Sequence, residues 1–432
     1  MMSSRWHWAF RQLSRRLWLR ATLIGLLGVI AALLAIICGP IIPDTLSVKL
    51  AAGSVGSILN VLASSMLAVT TFSLSVMTAA YSAASNSATP RATQLLIEDS
   101  TAQNALSTFI GSFLFSIVGL IVLHAGGYAD AGRFVLFVVT IGVVGLIVVS
   151  LLRWIDHLTK LGRVSETTRE VEEAARVALQ TRMRTPYLGG QRLNDPQNDI
   201  PAGTTPIICE EIGYIQHIDV GLLSALAERH NAQIYLTTTS GTFAYPYTIL
   251  AQVLADPAAP AIPQVDLRKA FSLSDSRNFD QDPRFGVIVL GEIASRALSA
   301  AINDPGTAID VAGRIIRLLA IWSQGVNQDD GVKYPRLHVP PLRTADLLED
   351  GIAPFSRYGA AAVEVQIRLQ KGLYALSHLG DDEFRNTIKG YARHCLEQSK
   401  AASLAEIDLL RIKRAHEGRE LYLTATQPLA AP

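Results

Sequence analysis

Residues 54–91 read SVGSILNVLASSMLAVTTFSLSVMTAAYSAASNSATPR, and this segment decides the fold. Its first part, residues 54–81, carries no charged side chain and is long enough to cross the roughly 30 Å hydrocarbon core of a bilayer as a helix. The segment then becomes polar and reaches Pro90, which cannot continue a helix. The pattern therefore predicts a transmembrane helix that ends before Pro90.

One face of this predicted helix is polar. At 100° per residue, six side chains fall within roughly 60° of one another, and the small Ala68 completes the row. These six residues, here called the polar stripe, are Ser57, Asn60, Ser64, Thr71, Ser75 and Thr78. Lipid cannot satisfy hydroxyl and amide groups, so the polar stripe must face protein or water. We favour a packing face, because Ser and Thr can donate to carbonyls of their own helix.

One further apolar run precedes this helix in the chain, at residues 21–42, and two follow it, at residues 105–124 and 133–152. None of the four runs has an Asp, Glu, Lys or Arg at its centre. Proton- and ion-coupled transporters usually place ionisable groups at mid-membrane, so this absence disfavours a coupled transporter. The sequence thus predicts an integral membrane, α-helical fold, with four transmembrane helices over residues 1–160 in contact with the lipid bilayer.

Basic residues divide unevenly between the two sides of this predicted domain. Nine lie before the first run or after the fourth, namely Arg5, Arg11, Arg15, Arg16, Arg20, Arg153, Lys160, Arg163 and Arg169. The two loops on the other side offer only Lys49 and Arg133. Positive residues concentrate on the cytoplasmic side of membrane proteins. We therefore predict a multi-pass inner-membrane protein with both termini in the cytoplasm.

Reporter fusions test this orientation. We expect a periplasmic reporter such as alkaline phosphatase to be active when fused after Asp44 or Asp130, and inactive at the C-terminus, because the arginine asymmetry opposes the reverse insertion. A cytoplasmic fluorescent reporter at the same three positions is the control and should give the opposite pattern. An active periplasmic reporter at the C-terminus contradicts the orientation.

The segment after the fourth run predicts a helix that leaves the membrane. Apolar and small side chains repeat at alternating spacings of three and four residues, which is the coiled-coil period. The repeat consists of Leu161, Val164, Thr168, Val171, Ala175 and Ala178. It covers fewer than three heptads, so we interpret it as a packed connecting helix. With the following linker, rich in Gly, Pro, Asn and Asp, it occupies residues 161–204.

The rest of the chain predicts a cytoplasmic α+β and helical region. Residues 205–265 alternate strand and helix patterns and predict a small α/β module, in which two strands meet at a turn of Ser240 and Gly241. Residues 266–423 predict a helical domain with a break at residues 335–344. Residues 424–432 predict a loose tail.

Composition excludes several classes of function. The chain of 432 residues has a net charge of +1, whereas nucleic-acid-binding domains are usually strongly basic. Its three cysteines and nine scattered histidines give neither a disulfide framework nor metal-type spacing. Glycine motifs for nucleotide phosphates are absent from the sequence. We therefore predict no catalytic residue, no metal, no cofactor and no nucleic-acid partner.

A second motif, RNFDQDPRFGVIVLGEIASRALSAAINDPGTA, covers residues 277–308. Asp282 and Asp304 each precede a proline, which predicts a carboxylate at the N-cap and Pro at the first position of a helix. The motif predicts a hairpin of two helices whose N-terminal N–H groups, with nearby arginines, offer a site to an anionic ligand. The predicted ligand-binding residues are Arg277, Gln281, Asp282, Arg296, Asn303, Asp304 and Thr307. In the structural alternative, which we favour, the two carboxylates satisfy these N–H groups themselves.

Residues 64–91 and 277–308 together make the chain resemble a family of predicted bacterial inner-membrane proteins, domain of unknown function 2254. The chain departs from the family pattern at Asn278, where the family usually has Thr, and at Ala300, where it usually has Pro. The resemblance implies the membrane topology and a place in the bacterial inner membrane. It implies no activity.

We interpret the protein as a non-enzymatic membrane protein and homo-oligomer. Its polar stripe forms either an oligomer interface or a neutral polar pathway, the latter making it a channel or transporter, and its cytoplasmic region binds an anionic ligand or a partner. Two alternatives stay open, a membrane-tethered enzyme with its site at the two Asp-Pro helix starts and a structural scaffold. An enzyme needs a nucleophile and a base within reach of each other, whereas a scaffold does not.

Overall fold

The computed structural model describes residues 17–38, 54–128, 130–258, 260–325 and 331–418. The chain divides into two compact units, an N-terminal unit that ends at Thr167 and a C-terminal unit that begins at Thr168. Residues 1–16 of the basic N-terminal segment, the end of the first apolar run and the predicted tail lie outside the described residues.

Long apolar helices build the N-terminal unit. They are α1 (Leu17–Cys38), α2 (Ser54–Ser87), α4 (Ser100–His124) and α5 (Asp130–Leu158), with the short α3 (Thr93–Ile97) between α2 and α4. The unit contains four spans that are long and apolar enough to cross a membrane, and these coincide with the four predicted runs. As predicted, α2 ends before Pro90.

Small side chains allow these helices to approach closely. Helices α1, α2 and α5 all pack against α4. A Cβ atom on Gly28 of α1 would lie 2.7 Å from the carbonyl oxygen of Gly111 on α4, and a Cβ atom on Gly111 would lie 2.7 Å from Cγ2 of Ile24 on α1, so both glycines allow close approach. On the other side, the indole Nε1 of Trp154 on α5 donates to the buried hydroxyl of Ser73 on α2 over 2.9 Å. Close packing and hydrogen bonds between helices, such as this one, therefore hold the unit together.

The remaining helices are α6 (Val164–Arg184), α7 (Val220–Arg229), α8 (Gln264–Arg268), α9 (Phe285–Ala297), α10 (Pro305–Trp322), α11 (Thr344–Gly351), α12 (Ala353–Tyr358), α13 (Val363–Leu376), α14 (Asp382–Ala401) and α15 (Glu406–His416). The strands are β1 (Gly190–Arg192), β2 (Thr205–Ile208), β3 (Gly213–Ile218), β4 (Gln233–Leu236), β5 (Phe243–Ala244), β6 (Ile249–Leu254), β7 (Phe271–Ser274) and β8 (Tyr334–Val339).

The strands form two sheets over one apolar core. The larger sheet has the order β1-β8-β4-β6-β2, in which β8 is parallel to both of its neighbours and the other pairs are antiparallel. The smaller sheet has the order β5-β3-β7 and is antiparallel. Side chains of both sheets and of α7, such as Ile218, Leu223 and Ile234, are fully buried in the core between them. This arrangement is the predicted α+β region.

The larger sheet reaches beyond residues 205–265. Strand β1 lies in the predicted linker, and β8 lies in the predicted break at residues 335–344. The two strands predicted on either side of Ser240 and Gly241 are β4 and β6, and they pair antiparallel. Their connection is longer than a tight turn, however, and it contributes β5 to the smaller sheet, where β5 pairs with β3. Both differences come from pairing between distant segments, and a local pattern of alternating side chains carries no information about the partner strand.

Helix α9 is packed closely from two sides. A Cβ atom on Gly286 would lie 2.5 Å from the Cβ of Ala175 on α6. A Cβ atom on Gly291 would lie 2.8 Å from the carbonyl oxygen of Gly351 at the end of α11. The two glycines therefore permit α6 and α11 to approach α9 closely.

Candidate functional site

The seven predicted ligand-binding residues fall into two groups at opposite ends of α9. Arg277, Gln281 and Asp282 precede the first residue of the helix, whereas the N–H of Asp304 donates to the carbonyl of Ala297, the last residue, over 2.7 Å. A helix of 13 residues is roughly 20 Å long. The two Asp-Pro steps therefore form two separate places rather than one site.

Asp282 is buried in an ion pair. The Nε of Arg277 donates to its Oδ2 over 2.7 Å, and the two side chains are only 2% (Asp282) and 16% (Arg277) exposed. The backbone N–H of Arg284 donates to its Oδ1 over 3.1 Å. Burial raises the pKa of Asp282, and Arg277 acts in the opposite direction. Both carboxylate oxygens are therefore engaged within the chain.

The helix start predicted at Asp282 needs a correction. Helix α9 begins at Phe285, with Arg284 at the N-cap position, so Pro283 lies before the helix instead of at its first residue. The physical reason is that Asp282 divides its two oxygens between Arg277 and a turn that precedes the helix. Asp282 consequently joins a tertiary cluster rather than capping α9 directly.

Gln281 connects this cluster to the smaller sheet. Its Oε1 accepts the N–H of Ile218 over 2.9 Å, and its Nε2 donates to the carbonyl of the same residue over 3.3 Å. The hydroxyl of Ser240 donates to the Gln281 carbonyl over 2.6 Å. Gly241 has a φ of +90°, and a Cβ atom there would collide with the Asp282 carboxylate. We call this set the buried motif cluster, and it consists of Ser240, Gly241, Arg277, Gln281 and Asp282.

The second group begins α10. Asp304 is its N-cap with Pro305 at the first position, as predicted. The N–H and the hydroxyl of Thr307 donate to Asp304 Oδ1 over 3.1 Å and to Oδ2 over 2.6 Å, and these bonds lower the pKa of Asp304. Asn303 precedes it in the left-handed region with a φ of +50°, and Arg296 lies in the last turn of α9. Ligand binding by this exposed group stays a prediction.

An ion-pair network connects α6 with α10. Glu172 on α6 accepts hydrogen bonds from Arg314 over 2.7 Å and from Arg317 over 2.7 and 2.9 Å. Burial raises the pKa of Glu172, but the two arginines outweigh it and hold the pKa below its ordinary value. The sequence pattern did not indicate these pairs, because residues more than a hundred positions apart form them.

A cleft of about 130 Å³ lies next to the buried motif cluster. We call it the Arg182 cleft. Its lining includes Arg182, Tyr187, Arg192, Trp322, Arg343, Thr344, Asp381, Glu383 and Phe384. Arg182 connects the cleft to the buried motif cluster, because it lines the cleft and its Nη2 lies 3.5 Å from the carbonyl oxygen of Gln281.

Arg182 is not among the predicted site residues, although the sequence carries a signal for it. The seam of α6 continues from Val171 through Ala175 and Ala178 to position 182 at the same spacing, and a charged residue in such a seam is unusual. In the structure Arg182 is 7% exposed, like its apolar neighbours in the seam. Burial lowers the pKa of Arg182 to about 10, and Asp282 acts in the opposite direction. The guanidinium is therefore charged at neutral pH.

The rim of the cleft contains strained backbone. Tyr187 and Leu188, directly after α6, have φ values of 52° and 55°, a region that bulky L residues rarely adopt. Each such residue costs on the order of 1–3 kcal/mol and persists only where its surroundings impose it. Here the pairing of β1 with β8 immediately follows the strained pair and imposes the path of the chain.

The polar stripe lies in the N-terminal unit and faces away from the other helices. All six of its side chains are exposed on α2. Ser64, Thr71, Ser75 and Thr78 donate to carbonyls three or four residues earlier in their own helix. Ser57 and Asn60 make no side-chain hydrogen bond within the described residues. The stripe is thus a self-satisfied polar face with one amide group available to a partner.

The described residues offer little to a metal ion or cofactor. Within residues 17–38, 54–128, 130–258, 260–325 and 331–418, no three His, Cys, Asp or Glu side chains come together as a ligand set. Cys209 and Cys395 are both buried as free thiols. Burial raises the pKa of Cys395 to about 11, so its thiol stays protonated at neutral pH.

Two mycobacterial proteins are similar to this chain. "Uncharacterized protein Mb1321c" of Mycobacterium bovis and "Uncharacterized protein Rv1290c" of Mycobacterium tuberculosis are each 25% identical to it over 345 residues. The matches cover 77% of this chain, and they span 65% of the length of each relative. No solved structure matches the chain.

A family model covers most of the features described above. The model described as "Predicted membrane protein (DUF2254)" matches residues 14–375, a range that includes the polar stripe, the buried motif cluster and Arg182. Membership is consistent with the four apolar helices of the N-terminal unit. The chain belongs to the DUF2254 family of predicted membrane proteins.

Proposed function

We propose that this protein is a non-catalytic inner-membrane protein that assembles with copies of itself through the polar stripe of α2 and binds an anionic ligand in its cytoplasmic C-terminal unit. The observation that carries the proposal is the position of the stripe, which occupies the centre of the face that α2 turns away from α4 and α5. Apolar side chains such as Leu67, Leu74 and Phe72 border it on both sides, and each of these three is at least half exposed.

A second copy of this chain is the partner that the stripe fits best. The stripe is neutral, so a charged partner gains nothing from it, whereas an identical helix offers the same hydroxyl and amide groups. In a two-fold arrangement the same patch faces itself, and Asn60 can pair with Asn60 of the other copy. Because the hydroxyls already bond to their own helix, Asn60 is the residue that most needs such a partner.

The enzyme alternative finds less support. A catalytic site at the Asp-Pro steps would need carboxylates that are free to react, but Asp282 is paired with Arg277 and Asp304 caps α10. The two places are also separated by the length of α9. A non-catalytic role is therefore the simpler proposal.

Substitutions on α2 test the self-association. In native membranes of a variant without Cys38, Asn60→Cys and Ser64→Cys are expected to form disulfides between copies, because they lie at the centre of the interface. Met77→Cys, which is buried on the opposite face of α2, is the control and should not cross-link. In detergent, Asn60→Leu is expected to weaken assembly several-fold by light scattering, since an interhelical hydrogen bond contributes about 0.6–2 kcal/mol. Val61→Leu keeps the amide and is the matched control.

A different result separates the neutral pathway from the interface. If the stripe lines water, the cysteines at positions 57, 60 and 64 react with a membrane-impermeant thiol reagent and do not cross-link. An intact oligomer of Asn60→Leu that has lost flux would point to the pathway. Unchanged assembly of Asn60→Leu together with absent cross-links contradicts the proposed interface.

A further inference from the structure

We infer that the Arg182 cleft is a binding site for a small oxyanion, a carboxylate or phosphate group, which the Arg182 guanidinium holds. This inference rests on the ligand-binding part of the proposed function and is independent of self-association through α2. It moves the anion from the two Asp-Pro helix starts, where the sequence predicts it, to a cleft that the sequence pattern does not indicate.

The main observation is a buried guanidinium with few partners. Arg182 is 7% exposed, yet its only hydrogen bond to the described residues is the one to the carbonyl of Gln281, at the long distance of 3.5 Å. A guanidinium has five N–H donors, and a buried charge is costly unless it is paired and hydrogen-bonded. Most donors of Arg182 therefore remain available in the cleft that it lines.

The nearby carboxylate does not replace a ligand. Asp282 interacts with Arg182 electrostatically, but its Oδ2 accepts from Arg277 and its Oδ1 from the N–H of Arg284. No hydrogen bond joins Arg182 to Asp282 among the described residues. The attraction to Asp282 helps to keep Arg182 charged. It does not occupy the N–H donors of the guanidinium, which can therefore bind a planar or tetrahedral oxyanion.

The other charges of the cleft limit the ligand. Arg192 and Arg343 add positive charge to the cleft. The Arg343 guanidinium is also paired with the Asp346 carboxylate through hydrogen bonds of 3.0 and 3.2 Å. The wall also contains Asp381 and Glu383, so a ligand with many negative charges would be repelled. Because Asp346 already balances Arg343, the cleft has little excess positive charge and suits a ligand with a single oxyanion group.

Size and shape agree with this class of ligand. A volume of about 130 Å³ is far more than one water needs, but it is below the 300–1,000 Å³ that is typical of sites for drug-sized molecules. Trp322 and Phe384 supply apolar walls, and the indole Nε1 of Trp322 donates to Thr344 over 3.2 Å, so it is not available to an anion. Apolar walls reduce the local dielectric and strengthen the contact between Arg182 and an oxyanion.

Thermal unfolding and calorimetry of the full-length protein in detergent test the inference. Sodium phosphate and sodium acetate are the probes, and sodium chloride at equal ionic strength is the control. At 100 times its Kd, a bound anion is expected to raise Tm by about 5–10 °C. Arg182→Met should weaken binding at least tenfold, whereas Arg184→Met, two residues away and exposed, should leave it unchanged. A response to phosphate alone identifies a phosphate group, and one to acetate identifies a carboxylate.

Stability without the anion gives a second readout. Because Arg182 is buried with one long hydrogen bond, Arg182→Met is expected to keep or raise Tm in chloride, which a purely structural arginine would not do. If this variant does not fold, Arg182→Lys keeps the charge, loses the fork of donors and should bind more weakly. No response of the wild-type protein to either anion up to roughly 10 mM, or equal binding by Arg182→Met, overturns the inference. Assembly through α2 would be unaffected by that result.

Discussion

Replacement of Asp282 by alanine is expected to lower the free energy of unfolding of the C-terminal unit by about 3–5 kcal/mol, because removal of one partner leaves a buried charge without compensation. The partner left behind is Arg277, whose side chain is 16% exposed. The substitution also removes the acceptor of the Arg284 N–H. Asp282→Asn keeps an oxygen for Arg277 but no charge, so its cost should fall between that of alanine and zero.

Asp304→Ala is the matched control for this prediction. The residue is also an aspartate before a proline, but it is exposed and acts as an N-cap, so its loss should cost only about 1 kcal/mol. Thermal unfolding of the full-length protein in detergent measures both, at about 2–4 °C in Tm for each kcal/mol in a unit of this size. Equal effects of the two alanine variants would contradict the distinction between a buried ion pair and a cap.

Gly241→Ala is expected to destabilise the same cluster through the backbone and through packing. With a φ of +90°, the residue lies where an L side chain costs about 1–2 kcal/mol. The added Cβ would also lie 2.6 Å from Nη2 of Arg277 and 2.7 Å from Cγ of Asp282, and overpacking of this kind costs about 1–3 kcal/mol. The ion pair would have to move apart to accept a methyl group.

Gly203→Ala separates the two contributions. Gly203 has a similar φ of +86°, but a Cβ atom there would meet nothing within 4 Å. Gly203→Ala should therefore cost only the free energy of placing an L residue at a positive φ. The difference in Tm between the two variants then measures the cost of the close contact with Arg277 and Asp282. A Gly241→Ala variant as stable as Gly203→Ala would show that the cluster rearranges freely.

Features with a local cause were predictable from the sequence. An apolar run of membrane length determines its own helix, so the four long helices of the N-terminal unit are where the pattern predicts them. Asp304 is an N-cap because a carboxylate before Pro-Gly-Thr can reach the N–H three residues later. In these cases the partners of a residue lie within a few positions of it.

Features with distant partners were not predictable. The pattern at Asp282 resembles that at Asp304, but Arg277, Gly241 and a strand of the smaller sheet determine its environment. Strand β8 reads as a break because it contains Pro335 and polar residues, and only its place between β1 and β4 makes it a strand. For Arg182, the seam of α6 contained the signal, but the cleft needs residues from α10 and α14 to exist.

The place of β8 in the larger sheet has a consequence for the synthesis of the chain. Strands β2, β4 and β6 are complete at Leu254, but β8, which separates β4 from β1, begins only at Tyr334. Until it emerges from the ribosome, one side of β4 is an unpaired edge that can recruit strands of other nascent chains. Loop closure between β1 and β8 also spans about 140 residues, which slows folding. We therefore expect the larger sheet to be completed late, with the edge of β4 open to other strands until β8 joins it.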